Sequence, residues 1–350
     1  MSSAAPEVDR GRTVLRRSDG FVEMEELGLG KRRVTARRVG AQAAVAGACE
    51  TSYPPALIER ILDAKGVAWL CDEIAREQDP RSIQRFFESD FLPYVDAADL
   101  EGKRILDFGC GSGSSTMVLA RMFPRSAVVG LDLSAEYLRI AEERQRFYGY
   151  ENLSFVLSPA GATVPEGLGE FDCIVMSAVF EHLLPEERRS VMPRLWAHLR
   201  KGGCLLLNQT PHRFFPFESH TTGLPLLNYL PDRLALVAAR RLSSRELGLE
   251  SWESLLRKGI RGATEREILS SLGGAGGTSA PTLLSPRRPH RDRVDVWYAA
   301  LSPRHRALKA LCRELLRVIE HRFGTTWIVN LSLAIGKGTA PGQEYRPCAL

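Results

Sequence analysis

The stretch RILDFGCGSG, residues 104–113, decides the fold. An apolar run leads to Asp107, and Gly109, Gly111 and Gly113 follow at alternate positions with Cys110 between the first two. Glycine permits backbone torsions closed to other residues and lets a ligand approach without a side chain intervening. A strand, such a loop and a following helix form a mouth at the carboxyl end of a parallel strand, where doubly wound folds bind ligands. A dinucleotide loop wants G-x-G-x-x-G to seat a pyrophosphate. Here the third glycine comes one residue early, and Ser114 stands where it would belong. The Asp107 carboxylate would repel a pyrophosphate, but it suits a ligand bearing an ammonium group. A nicotinamide oxidoreductase is therefore disfavoured.

Outward from this loop the pattern is alternation. Strands are expected at Arg104–Phe108, Ala127–Asp132, Leu153–Leu157, Phe171–Ser177 and Gly203–Gln209. Helices are expected near Ser115–Phe123, Ala135–Tyr148 and Pro185–Leu199. Strand and helix repeated in this way argue for an α/β fold, a parallel sheet with right-handed crossovers and helices on both faces. Asp132 ends the second strand, 19 residues after Gly113. A carboxylate there can accept both ribose hydroxyls of a nucleoside. Leu133, its neighbour, is placed to cover one face of an adenine.

Four segments in register carry a family resemblance: residues 104–113, VVGLDLS (128–134), FDCIVMSAVFEHL (171–183) and LRKGGCLLLNQT (199–210). They resemble the successive motifs of class I S-adenosylmethionine-dependent methyltransferases. The nearest subgroup is the small-molecule type (methyltransferase type 11/12-like), similar to ubiquinone-biosynthesis and sugar-modifying enzymes. The resemblance implies a Rossmann-like, seven-stranded, mostly parallel sheet whose last strand is antiparallel, at Trp327–Ile335. It implies S-adenosylmethionine as cofactor. Asp107 would bind the methionine amine directly or through water, and Gly109, Cys110, Gly111 and Gly113 would line the methionine. Asp132 would hold the ribose, while Ser177 and Ala178 would offer backbone contacts to the amino acid end. One departure stands out: the family often has an acid after the third strand, whereas this chain reads LSPAGATVP (157–165). Backbone groups around Ser158–Ala160 are expected to hold the adenine instead.

The remaining chain divides by composition. Residues 1–54 form an N-terminal extension with little sustained period, expected to be partly disordered apart from a short strand at Val34–Val39. Residues 55–100 carry N-terminal helices, one from Pro55 to Glu77 and one from Ser82 to Phe91. The cofactor core spans 101–210, and an inserted lid spans 211–262. C-terminal helices and final strands occupy 263–338, with helices at Thr264–Leu272 and Pro303–Phe323 and a short strand at Thr282–Leu284. A tail, 339–350, completes the chain.

Methyl transfer from a sulfonium is an in-line displacement in which positioning supplies much of the acceleration. A hydroxyl acceptor must also lose its proton, and histidine is the natural base near neutral pH. The segment PHRFFPFESHTTGLPLLNYLP (211–231) sets His212, Glu218 and His220 among aromatics, and its prolines exclude one regular helix. It reads either as a lid that supplies a base or as an aromatic packing loop. Glu181 and His182, just after the fourth strand, are a second candidate pair, with a structural pocket role as the alternative. His198 reads as a contact at a helix end. His182, His212, Glu218 and His220 could make a zinc-like cluster, but no compact ligand spacing supports it, so no metal is expected.

Apolar residues make up 44% and charged residues 25% of the 350, the composition of a soluble globular chain. No apolar run reaches the roughly 20 residues of a bilayer span, and no secretory signal is expected at the N-terminus. The net charge of +5 is mild, and its arginine-rich stretches lack any nucleic-acid signature. Peripheral membrane contact stays open, as does the oligomeric state. Seven scattered cysteines without a CxxC fit reduced thiols and a cytoplasmic protein. The function expected is O-methylation of a small molecule such as a sugar, glycolipid or specialised metabolite. N- or C-methylation and a non-catalytic cofactor-binding scaffold remain as alternatives.

Overall fold

The computed structural model describes residues 7–9, 12–39, 45–158, 163–165, 167–273, 280–301 and 304–338. Five strands come first: β1 (Glu7–Asp9), β2 (Arg12–Arg17), β3 (Gly20–Gly28), β4 (Lys31–Arg38) and β5 (Val45–Thr51), paired antiparallel in sequence order. This corrects the expectation of an irregular extension over 1–54. The strand period was hidden because one face carries arginines and glutamates. The other alternates Leu15, Val22, Met24, Val34 and Ala36, all buried. That face packs on helices α1 (Pro55–Lys65) and α2 (Leu70–Gln78) through Leu57, Ile58, Ile61, Leu70 and Ile74. A single helix to Glu77 was expected. The chain instead breaks at Gly66, where the Val67 amide donates to Asp19 at 3.0 Å and leaves the helical ladder.

Helices α3 (Ile83–Asp90) and α4 (Ala97–Leu100) lead into the alternating core. It runs β6 (Arg104–Phe108), α5 (Ser114–Met122), β7 (Ala127–Asp132), α6 (Ala135–Tyr148), β8 (Leu153–Leu157), β9 (Phe171–Ser177), α7 (Pro185–His198) and β10 (Leu199–Pro211). A small inserted layer follows: the hairpin β11 (Phe217–Glu218) and β12 (Leu224–Pro225), then α8 (Asp232–Leu242) and α9 (Trp252–Arg257). It has a core of its own around Leu227, Ala235, Ala239, Leu255 and Ile260. The chain closes with α10 (Glu265–Leu272), β13 (Pro281–Leu283), α11 (Arg293–Ala300), α12 (Arg306–Phe323) and β14 (Asn330–Lys337). The residues expected as tail, 339–350, and most of the glycine-rich turn before β13 lie outside the described residues.

The central sheet has the order β13-β14-β10-β9-β6-β7-β8. β14 runs antiparallel to both neighbours, and the other six strands are parallel to one another. This is the α/β, Rossmann-like arrangement expected, with both faces covered as a parallel sheet requires. On one face Leu106, Leu131, Met176 and Leu207 meet α7 and α10 around Trp196. On the other, Ile105, Val128, Val175 and Leu206 meet α3 and α5 around Phe87 and Met117. The order reverses between β6 and β9, so a crevice opens beyond their carboxyl ends. Among the described residues, no helix is long and apolar enough to cross a membrane.

Candidate active site

Every group at the crevice is set by where a strand stops. The loop after β6 turns back at once, with the amides of Gly109 and Cys110 both donating to the Leu131 carbonyl at 2.8 and 3.1 Å. Gly109 (φ 74°) and Gly113 (φ 84°) adopt the left-handed region. A Cβ on Gly109 would stand 2.7 Å from Val179, and one on Gly113 2.7 Å from Ala141. Close approach as well as torsion therefore demands glycine at both positions.

Asp132 holds this loop from the next strand. Its Oδ2 accepts from the Gly111 amide at 2.8 Å and its Oδ1 from the Ser134 amide at 2.9 Å. The carboxylate is thus fixed, half-buried, with further lone pairs free for two hydroxyls. Asp107 sits deeper, 1% exposed, and its Oδ2 accepts from the hydroxyls of Ser115 (2.6 Å) and Thr116 (2.7 Å) at the start of α5. Burial pushes its carboxyl up to about 6, the nearby Asp132 adds to the rise, and the two hydroxyls oppose it.

A cavity of about 210 Å³ opens here, lined by Gly109, Asp132, Leu133, Ser158, Ala178 and His182, with Phe108, Leu131, Thr163 and Val179. The second group of four was not singled out from the sequence, although Val179 lies within the quoted segment 171–183 and Thr163 within 157–165. Leu133 is exposed over the cavity. Ala178 turns with φ 54°, a strained value for a residue with a side chain, while its amide donates to the Asn208 carbonyl. Ser177 ends β9 one residue earlier and, like Cys110, Gly111 and Gly113, supports the cavity without lining it. Ser158, expected near the adenine, lines the cavity with both of its donors engaged. Its amide donates to the Asp132 carbonyl and its hydroxyl to the Thr163 carbonyl. The rest of that expectation, residues 159 and 160, lies outside the described residues.

The expected acid–base candidates separate. His212 does not reach the cavity. It is buried, its Nδ1 accepts from the Phe214 amide (3.1 Å), its Nε2 faces Thr325 (3.3 Å), and burial lowers its basicity. It lines a separate groove with Leu269, Ile319, Phe323 and Trp327. Glu218 also falls away, because its carboxylate caps its own turn through the amides of Thr221 and Thr222 and the Thr222 hydroxyl. His198, on its helix end, meets the Gly169 carbonyl at 2.7 Å.

His182 and His220 do come together, with ring centroids 5.6 Å apart. His182 lines the cavity, and its Nδ1 meets the Arg257 carbonyl at 2.7 Å, which makes Nδ1 the protonated nitrogen and leaves Nε2 open. Glu181 lies beside them, 1% exposed, with Oε2 accepting from Thr210 at 2.9 Å and burial raising its carboxyl. Burial, then the neighbouring His182, lowers the basicity of His220. Of these three proton-accepting groups His182 lines the cavity, and Glu181 and His220 cluster with it.

The structure adds residues that hold the loop from outside. Glu73 of α2 accepts from the hydroxyls of Ser112 and Ser114 and from Arg144. Burial alone would raise its carboxyl, yet Arg144, Lys65 and the two hydroxyls hold it down at about 2. Glu73 and Arg144 sit in ordinary amphipathic helices, so their periodicity gave no sign of this role.

Residues 105–203 match the methyltransferase-domain family. Over 152 residues the chain is 33% identical to a trans-aconitate 2-methyltransferase of Paracidovorax citrulli, a match covering 43% of this chain and 55% of that protein. A ubiquinone biosynthesis O-methyltransferase of Bordetella avium is 26% identical over 202 residues, covering 55% of this chain and 78% of that one. A solved coclaurine N-methyltransferase bound to N-methylheliamine and SAH overlays at a TM-score of 0.40 and 16% identity, across 73% of this chain and 71% of its own. The chain spans about half the length of the trans-aconitate relatives it matches.

Proposed function

Since the chain carries a class I S-adenosylmethionine-dependent methyltransferase domain, we propose that it transfers the methyl group of that cofactor to an oxygen of a small organic acceptor. The observation that carries this reading is the juxtaposition at the cavity mouth. A carboxylate, Asp132, and a histidine with an open nitrogen, His182, line the same cavity. Asp107 and the glycine loop would seat the methionine end, Asp132 the ribose, and Leu133 one face of the adenine. The sulfonium methyl would then point toward Val179 and His182.

In the transfer an acceptor oxygen attacks the methyl carbon, the carbon–sulfur bond breaks, and the sulfonium becomes a neutral thioether. Loss of positive charge at sulfur needs no acid. A hydroxyl acceptor must shed a proton, and the group formed by Glu181, His182 and His220 is where it would go. That group favours a hydroxyl over a carboxylate, since a carboxylate acceptor needs no base. A sugar, glycolipid or specialised metabolite with a free hydroxyl fits. The names of the relatives, one a carboxylic acid methyltransferase and one an O-methyltransferase, are consistent with oxygen as the accepting atom.

Calorimetric titration with adenosylhomocysteine, with Asp132→Ala alongside, tests the cofactor half. Turnover of labelled S-adenosylmethionine with hydroxyl-bearing acceptors tests the rest. Cofactor binding without turnover on any of them would favour a non-catalytic scaffold.

A further inference from the structure

Glu181 presents an anomaly. One carboxylate oxygen, Oε2, accepts from Thr210, but the other, Oε1, is buried and among the described residues has no hydrogen-bond partner. Buried polar atoms are nearly always satisfied, so an orphaned carboxylate oxygen asks for a ligand. Its nearest neighbour of opposite character is His182 Nε2, 3.8 Å away. One ligand atom each from Glu181, His182 and His220 lies within 4.8 Å of the others.

We propose that Glu181, His182 and His220 form a binding site for one divalent first-row transition-metal ion of the zinc class. Two imidazoles and one carboxylate are the three-ligand set of catalytic zinc sites, which keep a further position open for water or substrate. Imidazole donors select such ions over magnesium or calcium. Donors on one tetrahedral ion stand about 3.4 Å apart, from bonds of about 2.1 Å. The present spacing therefore closes around an ion by side-chain movements of an ångström or so.

The surroundings are those of a ligand shell. Ligating histidines typically donate their second ring N–H to a carbonyl, fixing the tautomer. His182 does so, to the carbonyl of Arg257, and its open Nε2 faces Glu181. Thr210 orients the carboxylate in the same way. Arg245 pins the loop of His220 by donating to the carbonyls of Ser219 and His220. Gly259 leaves room for the group, since a Cβ there would stand 2.8 Å from the His220 ring and 3.1 Å from Glu181 Cγ. The sequence reading expected no metal because 38 residues separate His182 from His220, and only the fold closes that gap.

The site's chemical role rests on the methyl-transfer reading. With the ion bound, Glu181, His182 and His220 would act as its ligands in place of their role as proton acceptors. An acceptor hydroxyl in the open position would be polarised by the ion and lose its proton to water more readily, much as zinc acidifies bound water. The oxygen then attacks the methyl carbon with the electron balance already described.

Metal-stripped full-length protein titrated with Co²⁺ tests the site through its visible d–d absorption, with Zn²⁺ as competitor. The expected result is one Co²⁺ per chain, displaced by Zn²⁺. Affinity should fall at least tenfold in His220→Ala and in Glu181→Gln, with circular dichroism and urea unfolding of each variant showing that it is folded. No Co²⁺ signal in the wild type, or a signal undiminished in both variants, overturns the proposal. Adenosylhomocysteine titrated in parallel separates the two readings. Its binding without metal binding removes the metal site alone, and metal binding without it removes the methyltransferase reading alone.

Discussion

The buried carboxyl of Asp107 makes cofactor affinity depend on pH in a way its geometry dictates. In the free protein, burial holds it at about 6, above the 3.9 or so of an unfolded aspartate. An acid raised in the folded state contributes stability that is fully present below about pH 4. That contribution is lost as pH rises through 6, an unfavourable term of about 3 kcal/mol above it. A ligand ammonium at the loop stabilises the ionised form, so binding favours the deprotonated protein. The expected affinity for adenosylhomocysteine is flat above pH 7 and falls toward tenfold per unit below pH 6. Between pH 7.5 and pH 5 this amounts to about tenfold for a single group titrating at 6. Asp107→Asn should lower affinity at pH 7.5 by about 10- to 100-fold, the loss of one charge-assisted bond, and abolish the slope. Calorimetry across pH 5 to 7.5 reads both. A wild-type affinity independent of pH, or a slope that survives in Asp107→Asn, would refute the coupling; the second result would assign it to His182 or His220.

Other perturbations probe the rest of the site. Asp132→Asn can accept only one of the two amide donors at 2.8 and 2.9 Å; denaturant unfolding should show a loss of about 1.5–3 kcal/mol, with adenosylhomocysteine affinity down more than tenfold. Glu73→Gln leaves Arg144 buried without its carboxylate, and urea unfolding at pH 7 should register a loss of about 3–5 kcal/mol. The wild-type protein should itself lose about 3 kcal/mol of this kind as pH falls from 4.5 to 2, because a depressed carboxyl stabilises above its unfolded pKa and is neutralised through its folded one. Gly259→Ala places a Cβ at φ 83° against the His220 ring; Co²⁺ affinity should fall while adenosylhomocysteine affinity holds. Thr210→Val removes the bond that orients Glu181 and should cost Co²⁺ affinity about 10- to 100-fold.

What could be read from the sequence was what local pattern determines. The strands of the core and the glycine loop announce themselves, because a buried parallel strand is a short apolar run and its terminal acid stands at a fixed offset. Leu153–Leu157 and Phe171–Ser177 were expected with the very bounds they have. The N-terminal strands were not legible, since Arg33, Arg37 and Glu23 on one face mask Val34, Ala36 and Val22 on the other. The lid misled for a different reason. His212, Glu218 and His220 lie within nine residues, yet one points to a separate groove, one caps a turn, and only the third meets Glu181 and His182. Which of three neighbouring polar side chains faces a site is settled by loop backbone, and no periodicity encodes it.

The same consideration explains why a small antiparallel sheet belongs with a methyltransferase core. Arg32 of β4 donates to the Tyr53 carbonyl, and the Tyr53 ring lies 5.7 Å from the Arg144 guanidinium. Arg144 in turn donates to the Ser112 carbonyl at 3.0 Å and to the Ser114 hydroxyl at 2.6 Å. A buried arginine is expensive to desolvate and stabilises a fold little even when paired. Its retention under the glycine loop is therefore better understood through position than through stability. The loop turns through left-handed glycines at Gly109 and Gly113, which fold freely into other conformations as well. Without support from the opposite side it would be free to relax when empty, and each binding event would have to reorder it. Glu73 and Arg144, anchored by α2 and the N-terminal sheet, supply that support before the cofactor arrives. On the proposed reading the N-terminal layer would thus support the cofactor site from outside, although among the described residues none of it lines the cavity.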